Sequence, residues 1–94
     1  MDTVSRGVLL NLELHDAQLV SAVLAGDRSA YDVLRRRYKN LVYGVALSLI
    51  EGFDDAESAA QESFVQAYLT LDRLENPDRF GAWVNGICCN ISRM

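Results

Sequence analysis

An amphipathic segment in the middle of the chain, residues 54–71, is the feature that most constrains the fold. Its apolar residues recur at spacings of three and four, which is the period of an α-helix. These residues are Ala56, Ala60, Phe64, Ala67 and Leu71. Asp54, followed by Glu57, is predicted to cap the helix at its first turn. We therefore expect a helix with one apolar side, around which the other elements are organised.

The other side of this helix is polar and acidic. It carries Asp55, Ser58, Gln61, Glu62 and Gln66. A polar helix face is most often a solvated surface, and spacing alone does not distinguish such a surface from a docking site. From Glu51 to Glu62 the chain has five carboxylates and no basic residue. A block of like charge indicates electrostatic steering toward a partner.

Three more segments have helical periodicity and helix-start signals. Asp16 is predicted to cap the first helix, Asp27 the second, and Asn76 with Pro77 the fourth. The second helix is apolar on two sides, so we expect it to be packed on two sides and to lie at the centre of the domain. The predicted spans are 17–25, 28–50, 54–71 and 77–93. The residues predicted to be buried in the last helix are Phe80, Trp83, Val84, Ile87, Cys88 and Ile91.

The domain organisation follows from these segments. No stretch alternates between apolar and polar residues in the manner of a strand, and no hairpin turn signal is present. The sequence therefore predicts an all-α fold, a compact four-helix domain with short connections, over residues 16–94. Residues 1–15 are predicted to form a loosely structured leader. The fourth helix reaches Met94 without a capping glycine, which predicts that this is a fragment of a longer protein.

Composition and charge exclude several classes of protein. Hydrophobic residues make up 50% of the sequence, so the chain can build a core. The net charge of −4 disfavours unaided tight binding to nucleic acid, which normally needs a basic domain. The longest apolar run, residues 41–50, is too short for a membrane span of about 20 residues, and residues 1–15 lack a signal-peptide pattern. We expect a cytoplasmic protein with no membrane insertion.

A basic cluster occupies the middle of the second predicted helix. It consists of Arg35, Arg36, Arg37 and Lys39. Such a cluster is either a solvated face or a patch that binds acidic protein or phosphate. The sequence leaves both interpretations open.

Signals for catalysis are poor. His15 is the only histidine, and no candidate nucleophile or carboxylate arrangement surrounds it. Cys88 and Cys89 are adjacent, which is not the spacing of a zinc site or of a disulfide framework. The carboxylates of residues 51–62 lack the spacing of a calcium loop or a di-iron bundle. We expect no catalytic residue, no metal and no cofactor, which weighs against a small helical enzyme or metalloprotein.

The order of residues resembles region 2 of RNA polymerase sigma factors, and most of all the extracytoplasmic-function (ECF) group. The segment DDAESAAQESFVQAYLTL is similar to that group's DAEDLVQEVFLxAW. The later FGAWVNGICCN is similar to FxxWLxxIAxN, and the upstream DAQLVSAVLAGDRSAYDVLRRRY resembles the group's first helices. The resemblance covers residues 16–94, with the motifs in the same order and spacing.

The resemblance implies a promoter-recognition subunit that acts in transcription initiation. In the family, the polar face of the third helix docks on the clamp helices of the β′ subunit of core RNA polymerase. The matching positions here are Asp55, Ser58, Gln61 and Glu62. The loop after that helix and the fourth helix hold the promoter −10 element as single-stranded DNA. The matching positions are Gln66, Thr70, Leu74, Glu75, Asn76, Asn85, Gly86 and Asn90.

The sequence departs from the family pattern at several positions. Ser58 stands where an acidic residue is usual, and Gln66 and Gly86 stand where a basic residue is frequent. Phe80 and Trp83 are expected in the core rather than against a base. We expect that the domain that reads the −35 element (sigma region 4) is absent from this fragment. These departures keep an alternative open, a degenerate sigma-like helical protein-interaction module without DNA binding. Many relatives are held inactive by an anti-sigma factor, which is therefore also a candidate partner.

Overall fold

A computed structural model describes residues 14–93, which form four α-helices. They are α1 (Asp16–Leu24), α2 (Arg28–Leu49), α3 (Phe53–Leu69) and α4 (Phe80–Ser92). Two short 3-10 turns, Leu71–Arg73 and Pro77–Arg79, connect α3 to α4. The described residues contain no strand, which confirms the predicted all-α four-helix domain with short connections. Most of the predicted leader, residues 1–13, lies outside the described residues, as does residue 94.

Helix α2 lies at the centre, as predicted from its two apolar sides. It packs against each of the other three helices. Ala30 and Leu34 are fully buried in its first half, whereas Val42 and Ala46 are fully buried in its second half. These two pairs lie on different sides of the helix, because successive residues are rotated by about 100°. The buried side of α2 therefore changes along its length.

Two of the predicted helix caps are confirmed. The carboxylate of Asp27 accepts a hydrogen bond from the backbone N–H of Ser29 at 3.0 Å. The side chain of Asn76 accepts one from the backbone N–H of Asp78 at 3.1 Å, ahead of Pro77 in the first position of its 3-10 turn. Both side chains satisfy backbone donors that a helix start leaves unpaired.

The other two predicted caps, Asp16 and Asp54, are wrong. Helix α1 begins one residue earlier than expected, with His15 at the N-cap and its backbone N–H bonded to the side chain of Gln18 at 2.8 Å. Helix α3 has Gly52 at its N-cap with φ of 101°, a conformation that glycine adopts without steric cost. Asp54 therefore lies inside the first turn, where its charge suits the positive end of the helix dipole.

Asp16 instead connects α1 to α2. Its carboxylate forms a salt bridge of 2.9 Å with Arg37 and accepts a hydrogen bond from the hydroxyl of Tyr38. Arg37 also donates to the backbone carbonyl of Leu14 at 2.6 Å. Burial and the bond to Asp16 raise the pKa of Tyr38 from 10.0 to about 12, so this phenol remains a donor into the alkaline range.

An aromatic cluster joins α2, α3 and α4. Phe80 is fully buried, and its ring centroid lies 6.1 Å from that of Tyr31 and 5.9 Å from that of Tyr38. The Tyr31 hydroxyl donates to the backbone carbonyl of Phe64 at 2.5 Å, and burial raises the pKa of this phenol. Of the residues predicted to be buried in α4, Phe80, Val84 and Cys88 are buried, and Trp83, Ile87 and Ile91 are half-buried.

No helix in the described part of the chain is long and apolar enough to cross a membrane.

Gly81 leaves room for the Tyr38 ring, and this gives a test of the packing. A Cβ added at Gly81 would lie 2.5 Å from Cε1 of Tyr38. Because the Tyr38 hydroxyl is bonded to Asp16, the ring cannot move without disturbing the contact between α1 and α2. We expect Gly81→Ala to lower the free energy of unfolding by about 1–3 kcal/mol, the usual cost of overpacking. Urea unfolding followed by circular dichroism measures this change.

Gly86→Ala is the matched control, since Gly86 is in the same helix and nothing lies within 4 Å of an added Cβ. Alanine is the better helix former there, so we expect a gain of about 0.5–1 kcal/mol. Equal effects of the two substitutions would contradict the packing of Gly81 on Tyr38.

Candidate nucleic-acid and polymerase interface

Helix α3 has the buried and exposed sides that its sequence predicts. Its predicted apolar residues are all buried, namely Ala56, Ala60, Phe64 and Ala67, followed by Leu71 in the next turn. Ala59 and Ser63 are buried beside them, and the Ser63 hydroxyl donates to the Ala59 carbonyl at 2.7 Å. The predicted docking residues Asp55, Ser58, Gln61 and Glu62 are all exposed. The helix therefore presents these four side chains to solvent.

Two large apolar residues share this exposed side, and sequence reasoning missed them. Val65 is 57% exposed and Leu69 is 71% exposed. Together with Ser58 and Glu62 they follow a spacing of four, three and four, so they form one stripe along the helix. The sequence could have revealed them, because Val65 and Leu69 are apolar but lie outside the predicted apolar side of the helix. We call this set, with Asp55 and Gln61, the outer face of α3.

A groove of about 850 Å³ between α2 and α3 adjoins the outer face. Gln61 and Val65 line it, so it is continuous with that face. Its basic side chains are Arg28, Arg35 and Lys39, and none of them forms a salt bridge with a described residue. The groove is also lined by Tyr31, Asp32, Asn40, Tyr43, Glu57, Ala60, Phe64 and Tyr68. It therefore combines aromatic surface with charges of both signs.

The basic cluster of α2 is divided between different environments. Arg35 and Lys39 line the groove, whereas Arg37 is used in the contact with Asp16. Arg36 is exposed and does not line the groove. The cluster is therefore not one patch. The sequence alone could not show this division, because the surroundings of each basic side chain depend on where α1 and α3 pack against α2.

A second pocket, of about 450 Å³, lies between the loop and the start of α4. It brings together three of the predicted DNA-binding residues, Leu74, Glu75 and Asn76. It also contains residues that sequence reasoning did not assign to DNA, which are Arg73, Arg79, Ala82 and Trp83. Trp83 was expected in the core but is only half-buried. We call this site the loop pocket.

The remaining predicted DNA-binding residues are dispersed. Gly86 and Asn90 are exposed and follow Arg79 and Trp83 at helical spacing, so they extend the same side of α4. Asn85 lies on a different side of the helix, where its Oδ1 is buried and has no hydrogen-bond partner among the described residues.

Gln66 and Thr70 lie at the end of α3, outside the lining of the loop pocket. Gln66 is exposed. The Thr70 hydroxyl is bonded to the Gln66 backbone carbonyl at 2.8 Å. The hydroxyl group of Thr70 therefore already donates a hydrogen bond within the last turn of α3.

The described residues contain no group of three or more histidine, cysteine, aspartate or glutamate side chains that could hold a metal ion. Among those residues, Cys88 is buried and Cys89 half-buried, both as free thiols.

A family model and the curated relatives of this chain indicate the same family. The family described as Sigma-70 region 2 matches residues 34–90. The chain is 31% identical over 78 residues to RNA polymerase sigma-H factor of Pseudomonas aeruginosa, which covers 83% of this chain and 40% of that protein.

Two further relatives agree. One is the ECF RNA polymerase sigma-E factor of Haemophilus influenzae, 31% identical over 81 residues, covering 86% of this chain and 42% of that protein. The other is the ECF RNA polymerase sigma factor SigW of Bacillus subtilis, 26% identical, covering 86% of this chain and 43% of that protein. The chain thus spans about two fifths of the length of these relatives. No solved structure matches it at a significant level.

Trp83 is the only tryptophan in the sequence, so its fluorescence can test the charge of the loop pocket. Arg73 and Arg79 line the pocket with it, and positive charge raises the local concentration of anions. We expect the ratio of iodide to caesium quenching at equal ionic strength to be higher for Trp83 than for free N-acetyltryptophanamide, which corrects for the different intrinsic efficiencies of the two ions. We also expect Arg73→Gln with Arg79→Gln to reduce that ratio. A ratio in the unsubstituted chain no higher than that of N-acetyltryptophanamide would mean that neither arginine side chain raises the anion concentration at the indole.

Proposed function

The chain belongs to the sigma-70 region 2 family, and on that premise we propose that it docks on the β′ clamp helices of core RNA polymerase and contributes to recognition of the promoter −10 element. The observation that carries this proposal is the outer face of α3. Val65 and Leu69 are exposed next to each other on the same side of α3 as its polar docking positions, and adjoining apolar residues rimmed by polar ones are what a protein-binding surface offers. Docking places this domain at the promoter during transcription initiation.

The chemistry of the outer face suits a helical partner. Val65 and Leu69 supply apolar contact area, and the neighbouring Gln61 and Glu62 supply hydrogen bonds and charge. Partner helices commonly engage such a face through anchors spaced three and four residues apart. The acidic residues of α3, among them Asp55, favour a partner surface with basic side chains. The adjoining groove, with Arg35 and Lys39, adds a place for acidic side chains of the same partner.

A double substitution tests the docking face. Gln61→Ala with Glu62→Lys should reduce binding to core polymerase, or to its isolated β′ clamp helices, by more than tenfold, because a reversed charge at a contact costs more than about 1.4 kcal/mol. Both residues are exposed, so the circular dichroism spectrum and unfolding midpoint should stay unchanged. Binding is measured by titration at low and moderate salt.

The matched control is Asp72→Lys, the same reversal of charge at an exposed position outside α3 and both pockets. It should leave the affinity within about twofold, since long-range effects of an exposed charge are screened by salt. Unchanged affinity of a folded Gln61/Glu62 variant would exclude the outer face as the docking site.

The loop pocket supports the proposed role in −10 recognition. Single-stranded DNA is held by cations that contact phosphates and by aromatic rings that stack on unpaired bases. Arg73 and Arg79 are the cations of this pocket, and Trp83 is its aromatic ring. Asn76 and Glu75 supply hydrogen-bonding groups that can recognise a base edge. The net charge of −4 implies that DNA is bound strongly only when polymerase positions it.

Substitutions in the loop pocket test this role in the complex with core polymerase. Arg73→Gln with Arg79→Gln should weaken binding of a single-stranded −10 oligonucleotide. It should also reduce the slope of log K against log[salt] by about 1.4, because each lost phosphate contact accounts for roughly 0.7 of that slope. Trp83→Ala should cost about 1–3 kcal/mol through lost stacking, whereas Trp83→Tyr should retain part of the affinity.

Both sets of variants should still dock on polymerase. The experiment therefore separates promoter recognition from the alternative of a sigma-like protein-interaction module without DNA binding. Gln66 and Gly86, uncharged where relatives are often basic, favour that alternative. Unchanged oligonucleotide affinity in both variants would support it.

An anti-sigma factor would act by covering the outer face of α3 or the loop pocket. Since the proposed partner is the polymerase, the proposed location is the cytoplasm.

A further inference from the structure

The loop pocket contains a carboxylate beside its two cations. Glu75 lines this pocket together with Arg73 and Arg79, and all three side chains are exposed. The Glu75 carboxylate forms no salt bridge or hydrogen bond with either arginine, or with any other described residue. Both of its oxygens are therefore available to accept hydrogen bonds from a ligand.

A carboxylate in a DNA-binding pocket can make only one kind of attractive contact. It repels phosphate because the charges are alike, and as an ion it accepts hydrogen bonds but donates none. The sugars within a DNA strand carry no hydroxyl group, so the N–H groups of the bases are the donors that single-stranded DNA offers. Glu75 therefore favours DNA binding only where an unpaired base directs N–H groups at it.

Asn76 adds an amide donor to the same pocket. Its Oδ1 accepts the hydrogen bond from the backbone N–H of Asp78 at 3.1 Å, which leaves Nδ2 as the other polar atom of the side chain. Nδ2 has no hydrogen-bond partner among the described residues. Two consecutive residues thus offer a ligand a carboxylate acceptor and an amide donor whose orientation is held by the cap.

Guanine is the base that fits these two groups best. Its Watson–Crick edge has adjacent N–H donors at N1 and N2, which match the two oxygens of one carboxylate, and the neighbouring O6 accepts from an amide N–H. Adenine and cytosine offer a carboxylate one amino group, whereas thymine offers one N–H between two carbonyl oxygens that repel it. We propose, on the basis of the role in −10 recognition proposed above, that the loop pocket selects an unpaired guanine. Glu75 accepts from N1 and N2, and Asn76 donates to O6.

A selection experiment on the complex of this chain with core polymerase tests the proposal. Short single-stranded DNA of random sequence is bound to the complex, and the retained strands are sequenced and aligned. We expect one position to be enriched in guanine over thymine by at least about fivefold, the lower end of discrimination by a bidentate contact. The enrichment should disappear with Glu75→Gln. It should persist with the matched control Asp72→Asn, because Asp72 is exposed and does not line the pocket.

Base analogues in a selected strand identify the edge that is read. Hypoxanthine in place of guanine lacks the N2 amino group, and we expect about tenfold weaker binding because a hydrogen bond to a charged group is lost. 7-Deazaguanine keeps the whole Watson–Crick edge and should bind as guanine does. Asn76→Asp keeps an acceptor for the backbone N–H of Asp78 but places a carboxylate at O6, so it should also abolish the preference for guanine.

The outcomes separate guanine selection from the role on which it rests. Strands retained with base preferences that Glu75→Gln leaves unchanged would overturn guanine selection and leave −10 recognition standing. Retention of no strand by a complex that forms normally would overturn both. Binding that distinguishes guanine from 7-deazaguanine but not from hypoxanthine would assign recognition to the other edge of the base and would also overturn the proposal.

Discussion

The buried side of α3 is built mainly from small residues, and the rest of the structure depends on this constraint. Ala56, Ala59, Ala60, Ser63 and Ala67 are all buried. Small side chains let α3 lie close to α2 and α4, since the distance between helix axes is set by the residues at the contact. Large fully buried side chains are supplied by the other helices, for example Leu19 of α1, Leu34 of α2 and Phe80 of α4. On α3 itself, Phe64 is the one large buried side chain among the described residues, whereas Val65 and Leu69 remain exposed.

The polar contacts of the interior fix how the helices are placed around α2. Asp16 joins α1 to α2 through Arg37 and Tyr38, and Tyr31 joins α2 to α3 through the Phe64 carbonyl. Each phenol is a donor whose pKa is raised, so neither bond is lost by ionisation near neutral pH. Directional bonds of this kind specify orientation, which the non-directional packing of alanine and leucine does not.

Periodicity in the sequence was enough to predict four helices, the central place of α2 and both sides of α3. It failed where the outcome depends on contacts between distant residues. Asp16 is of a residue type that often caps helices, but its role is determined by the salt bridge with Arg37, twenty-one residues away. Trp83 has the spacing of a core residue, yet its ring lines the loop pocket because the 3-10 turns leave one side of α4 uncovered. The resemblance to sigma factors assigned Leu74, Glu75 and Asn76 of the loop to DNA, and it did not point to Arg73 or Arg79, which line the same pocket.

The arrangement of charge makes the two ends of the domain suited to different partners. Acidic residues are concentrated at the start of α3, where Asp54 and Asp55 lie in the first turn. Arg73 and Arg79 follow its other end and line the loop pocket together with the acidic Glu75. A helix of 17 residues is about 25 Å long, more than twice the Debye length of about 8 Å at physiological salt. The acidic end therefore does little to repel a phosphate bound at the basic end. A domain with net negative charge can thus keep two arginine side chains in the loop pocket largely independent of the carboxylates at the far end of α3.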